Sequence, residues 1–536
     1  MVKGLGHEAV AFAIDALAEH ATTYQRDGRL VTVAAWDAAQ NTEATRREAG
    51  APVVRDMTAP LVWERLSALV NWQKWDTRKK GPVDIDPPAP VVAAVLQRGE
   101  WPRIRELRGI IGAPALRPDG TIIDRPGYDP QTGLLFVPAG ACNPIPDRPT
   151  RAQALEARDE LLEVVCDFPF ELPAHRAAWL AGALTPIVRP AIGDGNVPLL
   201  LVDANSRGAG KGLAVHAAAI IATGRTAPCE GFTPDAAEMD KRIVAHLQAA
   251  DPIVNLDNVA TDFGGPVLDK LLTSEGTYAS RKLGSNDASA ALKLPNLTTW
   301  WATLNNAALT GDLVRRAIHI RLATEYEHPE EREGFRHPDL LGWVRQERPR
   351  LLAAALTIAR GWFVAGRPCA DELSPFGSFE RWSSIVRAIC AWLELPDPWR
   401  DTVNGLRRAD RSDDLHGALL AGLEQLDADR RGLSTGEIKR LLDLDMAEAL
   451  RRDTAPRHAE LLDALGAAGL VADGKVLGQK LGKRLQLYRD KRKAGAWIAE
   501  VGRDSRSGSP RWSVMSAGVQ ESQECGQPSA REFAWG

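Results

Sequence analysis

The 536-residue sequence has no apolar run near the roughly 18–20 residues that span a bilayer; its longest is broken by charge and proline. No membrane partner is therefore expected. The opening stretch MVKGLGHEAVAFAIDALAEHA carries Glu8, Asp15 and Glu19, so it reads as an amphipathic helix and not as a signal peptide. Cysteine is scarce: six, at 142, 166, 229, 369, 390 and 525, none paired at metal-site spacing. That excludes a disulfide scaffold and a zinc motif, and points to reduced thiols in the cytoplasm. Bulk basicity is absent too, since the net charge is −4. Any nucleic-acid contact must come from local patches. There is no internal repeat, and no Asp-x-Asp pair in the β context a polymerase-like primase centre would need.

With 44% hydrophobic and 25% charged residues, the composition is that of a soluble globular protein, and the length suggests two to four domains. Residues 1–90 read as a small α+β region. The turn Arg26-Asp27-Gly28 precedes the strand candidate Leu30–Val33, and Thr58 is a candidate helix cap. Residues 91–145 read as a β-rich module, with turns at Asp119-Gly120 and Thr132-Gly133. Thr150 is the expected cap of a helical, collar-like segment at 151–190. Residues 191–330 alternate short β runs with helices, the pattern of a parallel sheet. A helical extension follows at 331–427, a compact three-helix module with a hairpin at 433–516, and a polar tail, expected to be disordered, at 517–536.

The chemistry concentrates in 191–330. The apolar run Leu199–Val202 leads into Asp203-Ala204-Asn205-Ser206-Arg207-Gly208-Ala209-Gly210-Lys211-Gly212 and then a helix-like stretch. Strand, glycine-rich turn, lysine, helix is the setting of a phosphate loop. Backbone N–H groups of Ser206 to Gly212 cradle phosphate oxygens, and Lys211 bridges the β and γ phosphates of ATP. Two residues depart from G-x-x-x-x-G-K-S/T. Asn205 stands at the first glycine, and Gly212 replaces the hydroxyl that touches Mg²⁺. Gly-Ala-Gly-Lys-Gly also suits a small-molecule kinase, which the chain length disfavours.

Three partner motifs follow at regular intervals. Pro252–Leu256 is a buried-strand candidate ending in Asp257, a ligand for Mg²⁺, followed by Asn258 where a second carboxylate would polarise water. Leu297–Leu304 is another strand candidate, ending in Asn305, which can position that water. Arg315 and Arg316 precede the alternating strand Ala317–Leu322. An arginine there can reach a neighbouring subunit's γ-phosphate, with Arg316, next to the strand, the favoured one. Between the second and third motifs, Arg281, Lys282 and Lys293 lie in a glycine-containing stretch suited to the DNA backbone.

The order of phosphate loop, Asp-ended strand, basic hairpin, Asn-ended strand and arginine resembles the superfamily-3 AAA+ helicases. It is most similar to the helicase halves of poxvirus-type primase–helicases of phages, prophages and plasmids. Arg281-Lys282-Leu283-Gly284 is similar to their channel hairpin, which grips DNA. The stretches 336–368 and 377–382 also look like segments that follow the ATPase core in such proteins. The resemblance covers 198–400 and implies a multidomain α/β chain with an AAA+ P-loop ATPase core. It implies ATP and Mg²⁺ as cofactors, single- and double-stranded DNA as partners, and a homo-oligomer of hexamer type; because this chain lacks a primase centre, any primase is expected to be a separate chain. The expected function is an ATP-dependent DNA helicase or translocase in replication of a mobile element. The alternative is a slow or non-hydrolysing replication initiator that loads DNA, which Gly212 and Asn258 favour.

The C-terminal module adds a second candidate DNA face. Ser434 to Glu437 is a capping signal. Helix candidates follow at 455–470 and 477–485, then a hairpin between Trp497–Val501 and Arg511–Val514, a winged-helix order. Residues 475–511 hold 11 Lys/Arg against 3 Asp/Glu. Lys480, Lys483 and Arg484 on the third helix, with Arg503 and Arg506 in the wing, are the expected duplex contacts.

Overall fold

Residues 24–56 hold three strands that pair antiparallel: β1 (Tyr24–Arg26), β2 (Arg29–Ala35) and β4 (Pro52–Asp56). The β1–β2 turn is Asp27-Gly28 with both φ values positive, 50° and 65°, the handedness that matches strand twist in a tight hairpin. Helices α1 (Gly6–Glu19), α2 (Ala59–Leu69) and α3 (Ala89–Leu96) cover this sheet. Leu17, Leu66, Val95 and Trp101 share one buried cluster, so residues 89–104 pack with the N-terminal region and the chain does not divide at 90. The short strand β3 (Thr45–Arg46) leaves this region altogether. In the computed structural model, residues 6–42, 45–259, 262–281, 291–304, 309–326, 328–403, 411–493, 495–505 and 508–516 are described. They fall into two compact units, residues 1–406 and 407–536.

The first unit is built around strands that are apolar on both faces, as a sheet covered by helices on each side requires. Helices α4 (Arg151–Glu163) and α5 (Pro173–Ile192) lead into β5 (Leu199–Ala204), α6 (Lys211–Thr223), β6 (Cys229–Gly231), α7 (Ala236–Ala249) and β7 (Ile253–Val259). Then come α8 (Pro266–Leu272), the strands β8 (Thr277–Arg281) and β9 (Ala291–Pro295), β10 (Thr299–Leu304), β11 (Ala317–Leu322) and the long α9 (Leu340–Val364). The sheet order is β11-β5-β10-β7-β6-β3, parallel except for β3, which runs antiparallel to β6 at the edge. Each fully buried Leu, Ile or Val of this core contributes about 1.5–3 kcal/mol. At Gly182 on α5 a side chain is excluded: a Cβ would sit 2.5 Å from Cη2 of Trp301 on β10. Thr150 caps α4 in a reciprocal capping box with Gln153, as its position predicts. Thr58 caps α2 through its backbone only.

Buried polar groups join the N-terminal region to this sheet. Thr45 Oγ1 donates to Glu230 on β6 at 2.5 Å, and Arg47 Nε donates to Asp251 at 3.0 Å. His246 bridges the two carboxylates, 2.6 Å from Asp251 and 3.1 Å from Glu230.

In the second unit, α11 (Thr435–Arg452), α12 (Ala459–Ala467) and α13 (Gly478–Tyr488) pack on an antiparallel sheet that includes β12 (Leu433–Ser434), β13 (Ala496–Arg503) and β14 (Pro510–Ser516). Ser434 is a cap, as expected, and the structure makes it a reciprocal capping box with Glu437. The helix α10 (Arg411–Leu426) places Leu419 and Leu423 in the same core as Ile438, Leu481 and Trp512. It therefore belongs here and not to the preceding helical extension, and the unit starts well before 433. Among the described residues no helix is long and apolar enough to cross a membrane. The expected tail, 517–536, lies outside the described residues.

Candidate functional site

The glycine-rich loop leaves the C-terminal end of β5 and enters α6 at Lys211. Gly208 (φ 76°) and Gly210 (φ 88°) hold left-handed conformations that a side chain resists. A Cβ on Gly210 would also press to 3.0 Å of the Phe168 ring. No side chain caps α6, so its first N–H groups are left for an anion in the loop. Asn205, where the motif has glycine, braces the loop. Its Nδ2 donates to Thr324 O at 2.9 Å and its Oδ1 accepts from Thr324 N at 3.0 Å. This reciprocal pair ties the start of the loop to the segment after β11. In the loop Ser206 is partly exposed, Arg207 exposed and Ala209 buried.

Lys211 is half buried. Burial lowers its pKa; Asp203 and Asp257 pull it back up, and Arg207 pushes it down. Asp203, at the end of β5, accepts from Arg321 at 2.5 Å and has His319 Nε2 at 3.6 Å. Burial opposes the Asp203 charge, but these neighbours and the Ala204 N–H hold its pKa below the usual value. Beside the loop opens a cavity of about 260 Å³, walled by Phe168, Pro169, Gly210, Leu213, Phe335 and Leu341. Its apolar walls suit a flat ring next to a phosphate group.

Asp257 ends the buried part of β7. The pairing of β7 with β10 shifts register between Leu256 and Val259, and this bulge turns both Asp257 and Asn258 to the open side. Asn258 sits at φ 55°. Asparagine tolerates that left-handed position, whereas glutamate there costs about 1 kcal/mol or more. Sequence reasoning missed Thr303 on β10. Its Oγ1 donates to Asp257 Oδ1 at 2.7 Å and accepts from Asn258 N at 2.9 Å. Asn255 adds a longer bond to the same oxygen, 3.3 Å. Among the described residues Asp257 Oδ2 accepts no hydrogen bond, so that oxygen is free for a hard cation or water. A Cβ on Gly212 would meet nothing within 4 Å. The lost hydroxyl leaves open space that a hydrating water can fill. Asn305 lies outside the described residues.

Strands β8 and β9 pair antiparallel with Ala279 opposite Lys293 and Arg281 opposite Ala291. Arg281 and Lys293 therefore share the exposed face, while Tyr278, Ser280 and Leu294 face inward. Asp240 on α7 accepts from the hydroxyls of both Tyr278 and Ser280 and anchors β8. Lys282 lies outside the described residues.

Arg315 and Arg316 precede β11. Arg316 O accepts from Leu199 N at the start of β5, which places both arginines at the opposite end of the sheet from the loop. Six strand residues separate the two ends, about 20 Å. Arg316 is largely buried, donating to Asp269 O at 2.7 Å and Asp312 at 2.8 Å. Arg315 also pairs with Asp312, but its side chain is 67% exposed. In the second unit Lys480, Lys483 and Arg503 are exposed and Arg484 partly so, around α13 and β13. Lys480 donates to Gly469 O at 3.3 Å, and Arg503 lies 3.5 Å from Glu500. Arg506 lies outside the described residues.

No family model and no curated protein matches the chain. Among solved structures it is similar to an apo form of the NrS-1 C-terminal region, at 12% identity and TM-score 0.34, over 81% of this chain and 91% of that one. It is also similar to the SCCmec type IV Cch active helicase, at 10% identity and TM-score 0.31, over 94% of this chain and 99% of that one.

Proposed function

We propose that residues 191–330 form the AAA+ P-loop core of an ATP-driven DNA helicase or translocase of the superfamily-3 kind. Its place would be in replication of a phage, prophage or plasmid in the cytoplasm. The observation that carries the reading is the meeting of Lys211, Asp257 and Thr303 at the C-terminal ends of three neighbouring parallel strands, where open α/β sheets bind ligands. β10 lies between β5 and β7, so the loop and Asp257 stand two strand spacings apart, about 9–10 Å. That gap suits a triphosphate with its metal. Ser206 to Gly212 supply backbone N–H groups and Lys211 the fixed cation, while the apolar cavity takes the base. Asp257 would hold Mg²⁺, which would supply charge neutralisation of the phosphates. Asn258 and Asn305 orient water.

The arginine ahead of β11 stands too far from its own loop to touch that nucleotide, which supports action on a neighbour's site in a ring of hexamer type. Arg315 is the better placed of the pair, because Arg316 is tied to Asp269 and Asp312 within its own chain. Arg281 and Lys293, with Lys282, grip single-stranded DNA. The second unit acts as a winged helix on duplex DNA through Lys480, Lys483, Arg484, Arg503 and Arg506, and a primase is supplied by a separate chain. The left-handed Asn258 and the absent hydroxyl at 212 favour a second reading, a slow initiator that loads DNA.

The test is ATP binding by calorimetry and turnover with and without single-stranded DNA. Lys211→Ala is expected to abolish binding in a folded protein; equal affinity in mutant and parent would end the ATPase reading. DNA-stimulated turnover in the parent separates helicase from initiator.

A further inference from the structure

Two arginines far from the glycine-rich loop are buried with no ion pair among the described residues. Arg26, at the end of β1, and Arg189, in the last turn of α5, are only 2% and 6% exposed. Among the described residues neither is ion-paired, and neither Nε has a hydrogen-bond partner. Both donate only to backbone carbonyls. Arg26 reaches Gln248 O and Pro295 O at 3.4 Å each, and Arg189 reaches Gly193 O at 2.6 Å and Asn296 O at 2.8 Å. Both line one small cavity of about 40 Å³, together with Arg108, Pro190, Asp251 and Thr298.

The neighbouring carboxylates are already engaged. Asp251 is taken by Arg47 and His246, Asp194 by Arg108, and Asp27, whose charge also acts on Arg26, has Arg29 at 3.7 Å and accepts from Lys293 N. Asp27 and Asp251 act on Arg26, and Asp194 on Arg189, through charge alone, with no direct pair to either guanidinium group among the described residues. Burial pushes both pKa values down to about 10, which still keeps them charged near neutrality. A buried cation without a partner is costly, and a mobile counter-ion is the simplest remedy. A void of this size admits a small ion or a few waters and excludes an organic ligand.

We infer that this cavity is a binding site for a small monovalent inorganic anion, of the chloride class, held between the guanidinium groups of Arg26 and Arg189. Its place gives it a purpose. Pro295 O and Asn296 O, which the two arginines hold, lie at and just after the end of β9. The anion therefore fixes the root of the β8–β9 hairpin against β1 and α5, and the site does not depend on the ATPase reading.

The experiment is thermal unfolding of the full chain at constant ionic strength, with chloride replaced stepwise by gluconate. The parent is expected to gain about 1–3 °C, saturating with chloride. Arg189→Met removes one guanidinium and should lose that dependence. Crystals of the parent soaked in bromide should show an anomalous peak within hydrogen-bond distance of both guanidinium groups, which serves even if the variant fails to fold. A chloride-independent parent, a variant that keeps the dependence, or bromide crystals with no peak in the cavity would each overturn the assignment.

Discussion

Thr303 decides which oxygen of Asp257 faces the open side of the sheet. Valine at this buried position keeps the volume and removes both hydrogen bonds, to Asp257 Oδ1 and from Asn258 N. Thr303→Val is expected to lower ATP turnover about 10–100-fold, the usual penalty for losing an orienting partner, with little change in nucleotide affinity. Thr303→Ser should recover most of it. Steady-state ATPase kinetics beside calorimetry check this, and an unchanged turnover in Thr303→Val would remove the residue from the site. Gly208, Gly210, Lys211 and Asp257 were legible in the sequence because each sits in a local strand–turn pattern. Thr303 was not, since its role exists only when β10 lies beside β7, and nothing local announces that neighbour. Asn205 and Asn258 read as defects in a motif. The structure shows one as a brace to Thr324 and the other as the residue type its left-handed backbone admits.

Among the elements, β8 of the β8–β9 hairpin is anchored by one carboxylate, while β9 is held by Asp27, which accepts from Lys293 N. Asp240 accepts from Tyr278 and Ser280, two inward-facing hydroxyls of β8, with Lys270 at 3.5 Å. Burial, followed by the Asp240 hydrogen bond and charge, raises the Tyr278 pKa, so the phenol stays a donor. Asp240→Ala leaves two hydroxyls unsatisfied, at about 1–3 kcal/mol for each buried group. Hydrogen exchange is expected to quicken at 277–281 and 291–295 while β5 and α6 keep their protection. Equal protection of the hairpin in parent and variant would mean that its apolar contacts suffice. The hairpins and caps at Asp27-Gly28, Thr150 and Ser434 were readable, because turn and cap chemistry is local. That α10 belongs with the second unit was not, because its leucines fit a helical extension equally well until Ile438 and Leu481 are seen beside them. The two-residue β3 was invisible: Thr45-Arg46 has no apolar pattern, and its partner lies far along the chain.

At the scale of the whole molecule, the N-terminal region and the sheet are joined by a titratable cluster. Burial works against a charged His246, yet its hydrogen bonds to Asp251 and Glu230 outweigh it and raise its pKa above 6.5, with Arg47 opposing. Protonated His246 thus favours the folded state. The contribution is complete below pH 6.5 and is lost as pH rises through the raised folded value. Asp251, held below its ordinary value of 3.8 despite burial, acts in the opposite direction, and its share is lost in acid. The unfolding midpoint of the first unit is expected to fall as pH climbs above neutrality, and His246→Gln should flatten that slope. A variant with the parent's slope would assign the dependence elsewhere. The same junction bears on how the chain is made. Thr45 and Glu230 touch across 185 residues. At about 5–20 residues per second, synthesis needs roughly 10–40 s to deliver β6 after β3 has left the ribosome. During that wait the N-terminal strands and helices must hold together on their own small core. Nascent β3 also stays unpaired, a short polar segment that offers other chains little to adhere to.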